Sequence, residues 1–569
     1  MFQTRGESVS KVASFVKQSL LLALPLAATC LYPLITLAAV NRLEIPTDIM
    51  LMPVGVATIF AVLSGVALAC IRKVEMGRFA AMFLSALILF TFAFRDLVVG
   101  PSVLIALFFE NARAETVGTY LWFGIAIVAT IAATLLRQTI QRAFGAFTAI
   151  VITLMLIPMV TTPWKDTIKT ANYAAYMQNI TSGNKDHSPV HTLDAAKDLI
   201  KKQISKPADT ELPDLQVIVL DAYGRDDVIK AYYDYDNQPF LKALASKGFS
   251  VAKRSHANYT QTVLSVASML NFKPVEQLKK STDVDLAGVV TNTIDRAILW
   301  QILRQRGHKV ISIPSGTNLT AMPSADLTFA STENIIMSYQ VETALRLLIE
   351  RTPLSLLSLI DETGVRTHRQ QLRDVFRFWA MSTELSEPKA TFVHVLAPHP
   401  PFVFDADGGP VQPNGRTFTL LDGKRLVEQI GKAKYQSAYV AQLKAINTKV
   451  LSAIDTIDAK PHRETITVIV GDHGPRMNLD WESANGTDMD EVKGTLMAVR
   501  IPEKYRQAVG DIDTCSPLTL LHRIATKVYN APLEPVRDFS YYSSLPKPFD
   551  FVPINNPNGR KDDPVVKTP

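Results

Sequence analysis

Cysteine is nearly absent: the 569 residues contain three. Cys30 and Cys70 fall within long apolar stretches and only Cys515 lies in the polar remainder, which therefore cannot close an internal disulfide or build a cysteine-based metal site. Clustered basic tracts are also missing, and a net charge of +6 is modest and partly spent beside the apolar stretches, so nucleic acid is excluded as an expected partner. No internal repeat is evident. The first apolar stretch lacks a convincing small-residue cleavage site and four more follow it, which argues against a cleaved signal peptide.

What is present divides near Trp164, where an apolar composition gives way to a globular one; the chain is too long for one compact core. Five hydrophobic stretches precede that point: Leu20 to Val40, Ile49 to Ile71, Phe79 to Phe94, Thr119 to Leu136 and Phe144 to Val160. Most approach the ~20 residues a spanning helix needs. The third is short and ends at Arg95 and Asp96, and the run Leu97 to Phe109 behind it reads as re-entrant or interfacial.

Charge in the short loops orients these stretches, because basic residues near helix ends stay on the cytoplasmic side. Arg5, Lys11 and Lys17, then Arg72, Lys73 and Arg78, then Arg137 and Arg142 mark the inside, with Glu75 the only acid in those last two loops. Arg42 with Glu44 and Asp48, and Arg95 and Arg113 with Asp96, Glu110 and Glu115, show no basic excess and read as outside. Five crossings from an inside N-terminus deliver everything after Val160 to the outer face, provided the third stretch spans.

Residues 165–213 are polar with loosely spaced apolar residues and read as a juxtamembrane connector. From Leu215 short β-branched runs alternate with longer helical stretches, the pattern of a sheet between helices. Strands are expected at Gln216 to Leu220, Lys309 to Ile313, Thr391 to Leu396 and Thr465 to Val470, and helices at Pro239 to Lys247, Ile298 to Arg306 and Tyr435 to Ile457. The domains expected are thus 1–164, 165–213, 214–545 and a tail, 546–569, that carries no apolar period and should be loosely held.

In such a fold ligands gather where strands end. VIVLDAYGRDD puts Asp221 at the end of the first strand, a place also taken by turn-capping aspartates. VIVGDHGP puts Asp472 and His473 on a glycine-flanked turn; a hard oxygen beside an imidazole suits a divalent metal, and a turn with a surface histidine is the plainer reading. SHANYTQTVLSVASMLN leads through Thr260 and Thr262 into an apolar helical run, so that the Thr262 hydroxyl would lie at a helix N-terminus, where free amides stabilise negative charge. A capping threonine has the same pattern. FVHVLAPHPPFVFD carries His399 on a proline-braced turn after a strand, while His394 inside that strand reads as a packed or hydrogen-bonded histidine.

The order Asp221, Thr262, His399, Asp472-His473 resembles the sulfatase-type branch of the alkaline phosphatase superfamily over roughly Leu215 to Leu545. That branch includes arylsulfatases, lipoteichoic acid synthases and the phosphoethanolamine transferases that modify lipid A; the last two commonly carry five membrane helices before an outer catalytic domain. The family's nucleophile stands three residues before a serine, as Thr262 does before Ser265, whereas Thr260 lacks that serine. The resemblance implies that Asp221, Thr262, Asp472 and His473 bind one divalent ion, zinc or manganese ahead of magnesium, and that His399 is a substrate or second-metal histidine. Three departures bear on the subgroup. Asp221 stands where transferases usually have Glu, the residues around Thr262 cannot supply the arylsulfatase formylglycine motif, and a lone Cys515 excludes the disulfides usual in phosphoethanolamine transferases.

The implied protein is an N-terminal bundle of about five transmembrane helices followed by an α/β sulfatase-like domain, in a bacterial cytoplasmic membrane with its catalytic domain periplasmic or extracellular. The implied reaction moves a phosphoglycerol or phosphoethanolamine-type group from a phospholipid donor to an envelope glycan or glycolipid acceptor through a phospho-threonine. Exposed charges at Arg225, His256 and Arg476 are expected to clamp the anion. The alternatives are a phosphate- or sulfate-ester hydrolase on envelope glycans and a non-catalytic lipid- or glycan-binding protein.

Overall fold

A computed structural model describes residues 2–40, 47–71, 73–93, 114–161, 211–277, 293–315, 320–330, 352, 361–412, 423–544 and 550–554. The chain forms two compact units, Met1–Ala174 with Gln340–Ile360, and Ala175–Tyr339 with Asp361–Pro569. The run Leu97 to Phe109, most of the outside-loop charges, the connector as far as residue 210 and the tail from 555 lie outside the described residues.

In the first unit helices occupy each of the five apolar stretches: α1 (Phe2–Val40), α2 (Thr47–Ala69), α3 (Val74–Phe92), α4 (Ala114–Leu135) and, after the short α5 (Arg137–Arg142), α6 (Phe144–Thr161). Among the described residues two helices, over Ser10–Leu37 and Val74–Phe92, are long and apolar enough to cross a membrane by length and composition. Small residues let the first two approach closely, since a Cβ on Gly65 would meet Ser19 O at 2.5 Å and Ala23 Cβ at 2.7 Å. Trp122 stacks on Phe90 at 4.8 Å between ring centroids, joining α3 to α4.

The second unit is built on a seven-stranded sheet: β1 (Asp214–Leu220), β2 (Ser250–Val251), β3 (Lys309–Ile313), β4 (Leu327–Thr328), β5 (Lys389–Val395), β6 (Thr465–Val470) and β7 (Met497–Arg500), in the order β2-β7-β6-β1-β5-β3-β4. Pairings from β6 across to β4 are parallel; β7 runs antiparallel to both β6 and β2. Parallel strands covered on both faces need apolar residues on both, and β1 is buried throughout its length. Its side chains alternate between two cores. Ile218 and Leu220 pack with Trp379, Leu443 and Ile446 from α11 (Asp361–Ser382) and α13 (Lys432–Asp458). Val217 and Val219 pack with Leu264, Trp300 and Leu521 from α9 (Thr262–Asn271), α10 (Ile298–Gln305) and α16 (Pro517–Lys527).

The four expected strands are present within two residues at either end, as are two of the three expected helices, now α8 (Gln238–Ser246) and α10; the third, α13, begins three residues earlier than expected. The short strands β2, β4 and β7 were not expected. Nor were β8 (Tyr541–Ser543) and β9 (Phe551–Pro553), which pair antiparallel and correct the expectation of a tail without packing. The reason is Phe551, whose ring lies 5.2 Å from that of Tyr259 and 5.9 Å from that of Tyr541.

At the far edge from the strand C-termini, Asp214 accepts from Lys389 Nζ (2.6 Å), Lys389 N (3.1 Å) and Arg463 Nε (3.0 Å), tying β1, β5 and the approach to β6. Removing one partner of a buried pair strands the other charge. Asp214→Ala is therefore expected to lower the unfolding free energy by about 3 to 5 kcal/mol, read as a fall in the thermal midpoint; an unchanged midpoint would contradict this role.

Candidate active site

Because β5, β1 and β6 are parallel neighbours, the residues that follow them leave the sheet on one edge. Asp221 follows β1, the His399 turn follows β5 and Asp472 follows β6. The ends are laced together: Asp221 N donates to Val395 O (2.9 Å), His399 N to Asp221 O (3.0 Å) and Ala222 N to Asp472 Oδ1 (3.1 Å). Ala222 takes a left-handed conformation, φ 62°, at this junction.

Thr262 is the first residue of α9, and its N-cap position is held by Gln261 without a side-chain cap bond. The hydroxyl is not a cap. It lies 3.4 Å from Asp221 Oδ2 and 3.2 Å from His473 Nε2. Thr260 turns away, its Oγ1 accepting from Ser543 N at 3.4 Å. Ser265 explains the three-residue spacing: its Oγ donates to Tyr259 O (2.8 Å) and accepts from Tyr259 N (3.2 Å), closing the loop that feeds Thr262 into the helix.

The glycines flanking Asp472 and His473 are sterically required. A Cβ on Gly471 would overlap Thr495 Oγ1, and one on Gly474 would overlap Glu491 O. His473 Nδ1 lies 2.8 Å from Gly474 O, an atom that only accepts, so the proton sits on Nδ1 and Nε2 is turned inward. There Nε2 faces Asp472 Oδ2 at 3.1 Å and Asp221 Oδ1 at 3.3 Å.

Asp221, Asp472 and His473 are buried and offer ligand atoms within 4.8 Å of one another. Asp221 Oδ1 and Asp472 Oδ2 have no hydrogen-bond partner. One imidazole nitrogen cannot satisfy two carboxylates and a hydroxyl, so two orphaned anionic oxygens, a nitrogen and an alcohol converge as a divalent cation's donor set would. Burial and the Arg476 charge push the His473 ring down, but Asp472 and Asp221 outweigh them and hold it up at about 9. Burial pushes the Asp221 carboxyl up, and His399, His394 and His473 together more than reverse this, leaving it well below the usual carboxylate range.

The other candidates divide. His399 is buried beside Asp221, with Nδ1 2.5 Å from Pro400 O, so Nε2 is the nitrogen whose protonation can change. Arg225, His256 and Arg476 are buried, which corrects the expectation of exposed clamping charges. Arg225 is committed to Asp227 (2.6 and 3.0 Å) and Ser255 O (2.7 Å), and His256 Nε2 faces Asp538 at 3.4 Å. Arg476 donates to Thr260 O (2.7 Å) and stacks over Trp481, bracing the loop that leads into Thr262 while bringing positive charge to His473. Sequence reasoning set His394 aside as packed. It is packed, but its Nε2 lies 3.4 Å from Asp221 Oδ2; the signal was a histidine at the heart of an apolar strand ending at the site.

A protein-family model described as Sulfatase matches residues 213–498. The chain belongs to the sulfatase family. It is thereby an enzyme of the alkaline phosphatase superfamily, in its sulfatase-like branch. Solved structures similar to this sulfatase-family chain include the soluble domain of lipooligosaccharide phosphoethanolamine transferase A from Neisseria meningitidis (12% identity, 57% of this chain and 90% of that one, TM-score 0.37). The integral membrane form of that transferase aligns with 90% of this chain and 96% of its own (14% identity, TM-score 0.35). A third is BT1596, a 2-O GAG sulfatase (13% identity, 59% and 78%, TM-score 0.36). No curated protein matches this sequence.

Glu491, on α14 (Met489–Lys493), holds the strand of chain after His473 by accepting from Met477 N (3.0 Å), Asn478 N and Nδ2 (both 2.8 Å) and Tyr233 Oη (2.6 Å). Burial raises its carboxyl to about 7 despite these donors. A folded value above the unfolded one means that its contribution is full below pH ~4.5 and is lost as pH rises through about 7, roughly 3 kcal/mol in all. Glu491→Gln should flatten the thermal midpoint's dependence on pH between 5 and 8; a profile with the wild-type slope would remove Glu491 as its source.

Proposed function

We propose that this sulfatase-family enzyme is anchored by five membrane-crossing helices, with its catalytic domain on the outer face, and moves a phosphoglycerol or phosphoethanolamine-type group from a phospholipid to an envelope glycan or glycolipid. The observation that carries the reading is the Thr262 hydroxyl, at a helix N-terminus and within 3.4 Å of both Asp221 and His473. The domains proposed are 1–164, 165–213, 214–545 and 546–569.

Asp221, Thr262, Asp472 and His473 would hold one divalent ion, zinc or manganese, with carboxylate, hydroxyl and imidazole donors. Such an ion supplies Lewis acidity that lowers the pKa of a coordinated hydroxyl and polarises a phosphoryl oxygen. The amides and dipole at the start of α9 favour negative charge on the same hydroxyl. Thr262 Oγ1 gives its proton to solvent and attacks phosphorus in line; the new P–O bond forms as the bond to the diacylglycerol oxygen breaks, and His399 gives that oxygen a proton. The acceptor hydroxyl then attacks phosphorus and gives its proton to His399; the Thr262 Oγ1–P bond breaks, and Oγ1 takes a proton back from solvent. Anchoring serves this chemistry because a lipid donor reaches the site by two-dimensional diffusion. Water in place of the acceptor makes the same residues a hydrolase.

The test is intact-mass spectrometry of the purified full chain after exposure to phospholipid, with metal content measured on the same sample. A covalent phospho-adduct should appear in the wild type and vanish in Thr262→Ala, with turnover down by at least ~10³-fold. An adduct that persists in Thr262→Ala would refute the assignment of the nucleophile. Phosphate or sulfate release without any acceptor would mark a hydrolase, and metal-free, adduct-free protein a binding module.

A further inference from the structure

Asp221 has two oxygens with different duties. Oδ1 faces His473 Nε2 at 3.3 Å, while Oδ2 faces Thr262 Oγ1 at 3.4 Å and His394 Nε2 at 3.4 Å. His394 lies on β5 opposite Val219 of β1, fully enclosed, so its ring is held below the Asp221 carboxylate by the strand itself. Its other nitrogen, Nδ1, is 2.6 Å from the hydroxyl of Thr320, which is also fully buried. Nε2 has no hydrogen-bond partner at the present separation, and the other group against Oδ2 is the Thr262 hydroxyl itself.

We propose that Thr320 and His394 form a positioning pair for Asp221: the Thr320 hydroxyl donates to His394 Nδ1, which keeps the ring's proton on Nε2, and Nε2–H is directed at Asp221 Oδ2. The carboxylate can otherwise rotate about its last torsion and exchange its two oxygens. A donor fixed beneath Oδ2 stops that rotation and keeps Oδ1 toward the corner shared with Asp472 and His473. Partners of this kind behind a ligating group are worth 10- to 100-fold in metal affinity. The inference rests on the reading of Asp221 as a metal ligand, and it adds Thr320, a residue remote from every motif in the sequence, to the machinery.

The experiment measures affinity for Zn²⁺ and Mn²⁺ alone, by competition with a chromophoric chelator, on the full chain in detergent. Thr320→Val and His394→Leu should each weaken binding about 10- to 100-fold. Thr320→Ser, which restores the donor, and His394→Gln, which keeps an N–H near the Nε2 position, should stay within about threefold of the wild type, a margin below the tenfold minimum expected for losing the pair. In ¹⁵N-labelled protein the His394 Nδ1 resonance should shift in Thr320→Val and return in Thr320→Ser, which loss of packing alone would not produce. Wild-type affinity in both Thr320→Val and His394→Leu overturns the proposal. Should His394→Leu fail to fold, the Thr320 pair of variants decides the matter. Asp472→Ala separates the two claims: metal lost there but kept in Thr320→Val defeats only the positioning pair, whereas metal kept in Asp472→Ala defeats the metal reading beneath it.

Discussion

Two carboxylates enclosed within a few ångströms of one imidazole nitrogen are the constraint around which the catalytic unit is arranged. Asp221 and Asp472 have each left water and face each other's charge, and a single ring nitrogen cannot bond to both. Such a cluster persists only where positive charge is concentrated on it and the surrounding chain leaves no room to relax. His399 and Arg476 supply positive charge from the protein, and the donor set, which includes the lone pair of His473 Nε2 when that ring is neutral, suits a cation for the remainder.

Everything that delivers these groups follows from the parallel register of β5, β1 and β6. Three strands in step end together, so residues that follow them meet at one edge without long reach. The turns then have to be compact, and the close approach of Thr495 and Glu491 to Gly471 and Gly474 shows how little space the turn bearing Asp472 and His473 has. Glu491 repeats the theme one layer out, holding the outgoing chain at Met477 and Asn478. At the opposite edge the Asp214–Lys389 pair ties the same strands, so both ends of the central sheet are fastened by buried charge.

Much of this was legible in the chain's own pattern because buried parallel strands read as apolar runs, and the polar residue that ends each run is conspicuous. Asp221, Asp472 and His473 were visible for that reason. Thr262 was separable from Thr260 only through the serine three residues on, and the geometry now shows why: Ser265 closes the loop on Tyr259. Arg225, His256 and Arg476 lie near the motifs in sequence, and nearness gave no account of their burial. Arg225 lies two residues from the carboxylate that absorbs it, and pattern alone did not distinguish a brace from a clamp. The short strands escaped because two or three residues carry too little periodicity to register, and Phe551 looked idle until its aromatic partners, nearly three hundred positions upstream in the case of Tyr259, were brought beside it.

The order of residue types along the chain determined the apolar stretches, the alternation of strand and helix, and which polar side chains would stand at strand ends, since each depends on neighbours a few positions apart. Only the tertiary structure decided that the Thr262 hydroxyl faces His473, that His394 looks toward Asp221, and that Thr320 stands behind it. Those contacts join residues separated by tens to hundreds of positions, and their distances are set by how the sheet packs between its two helical layers, a property that no local stretch of sequence contains.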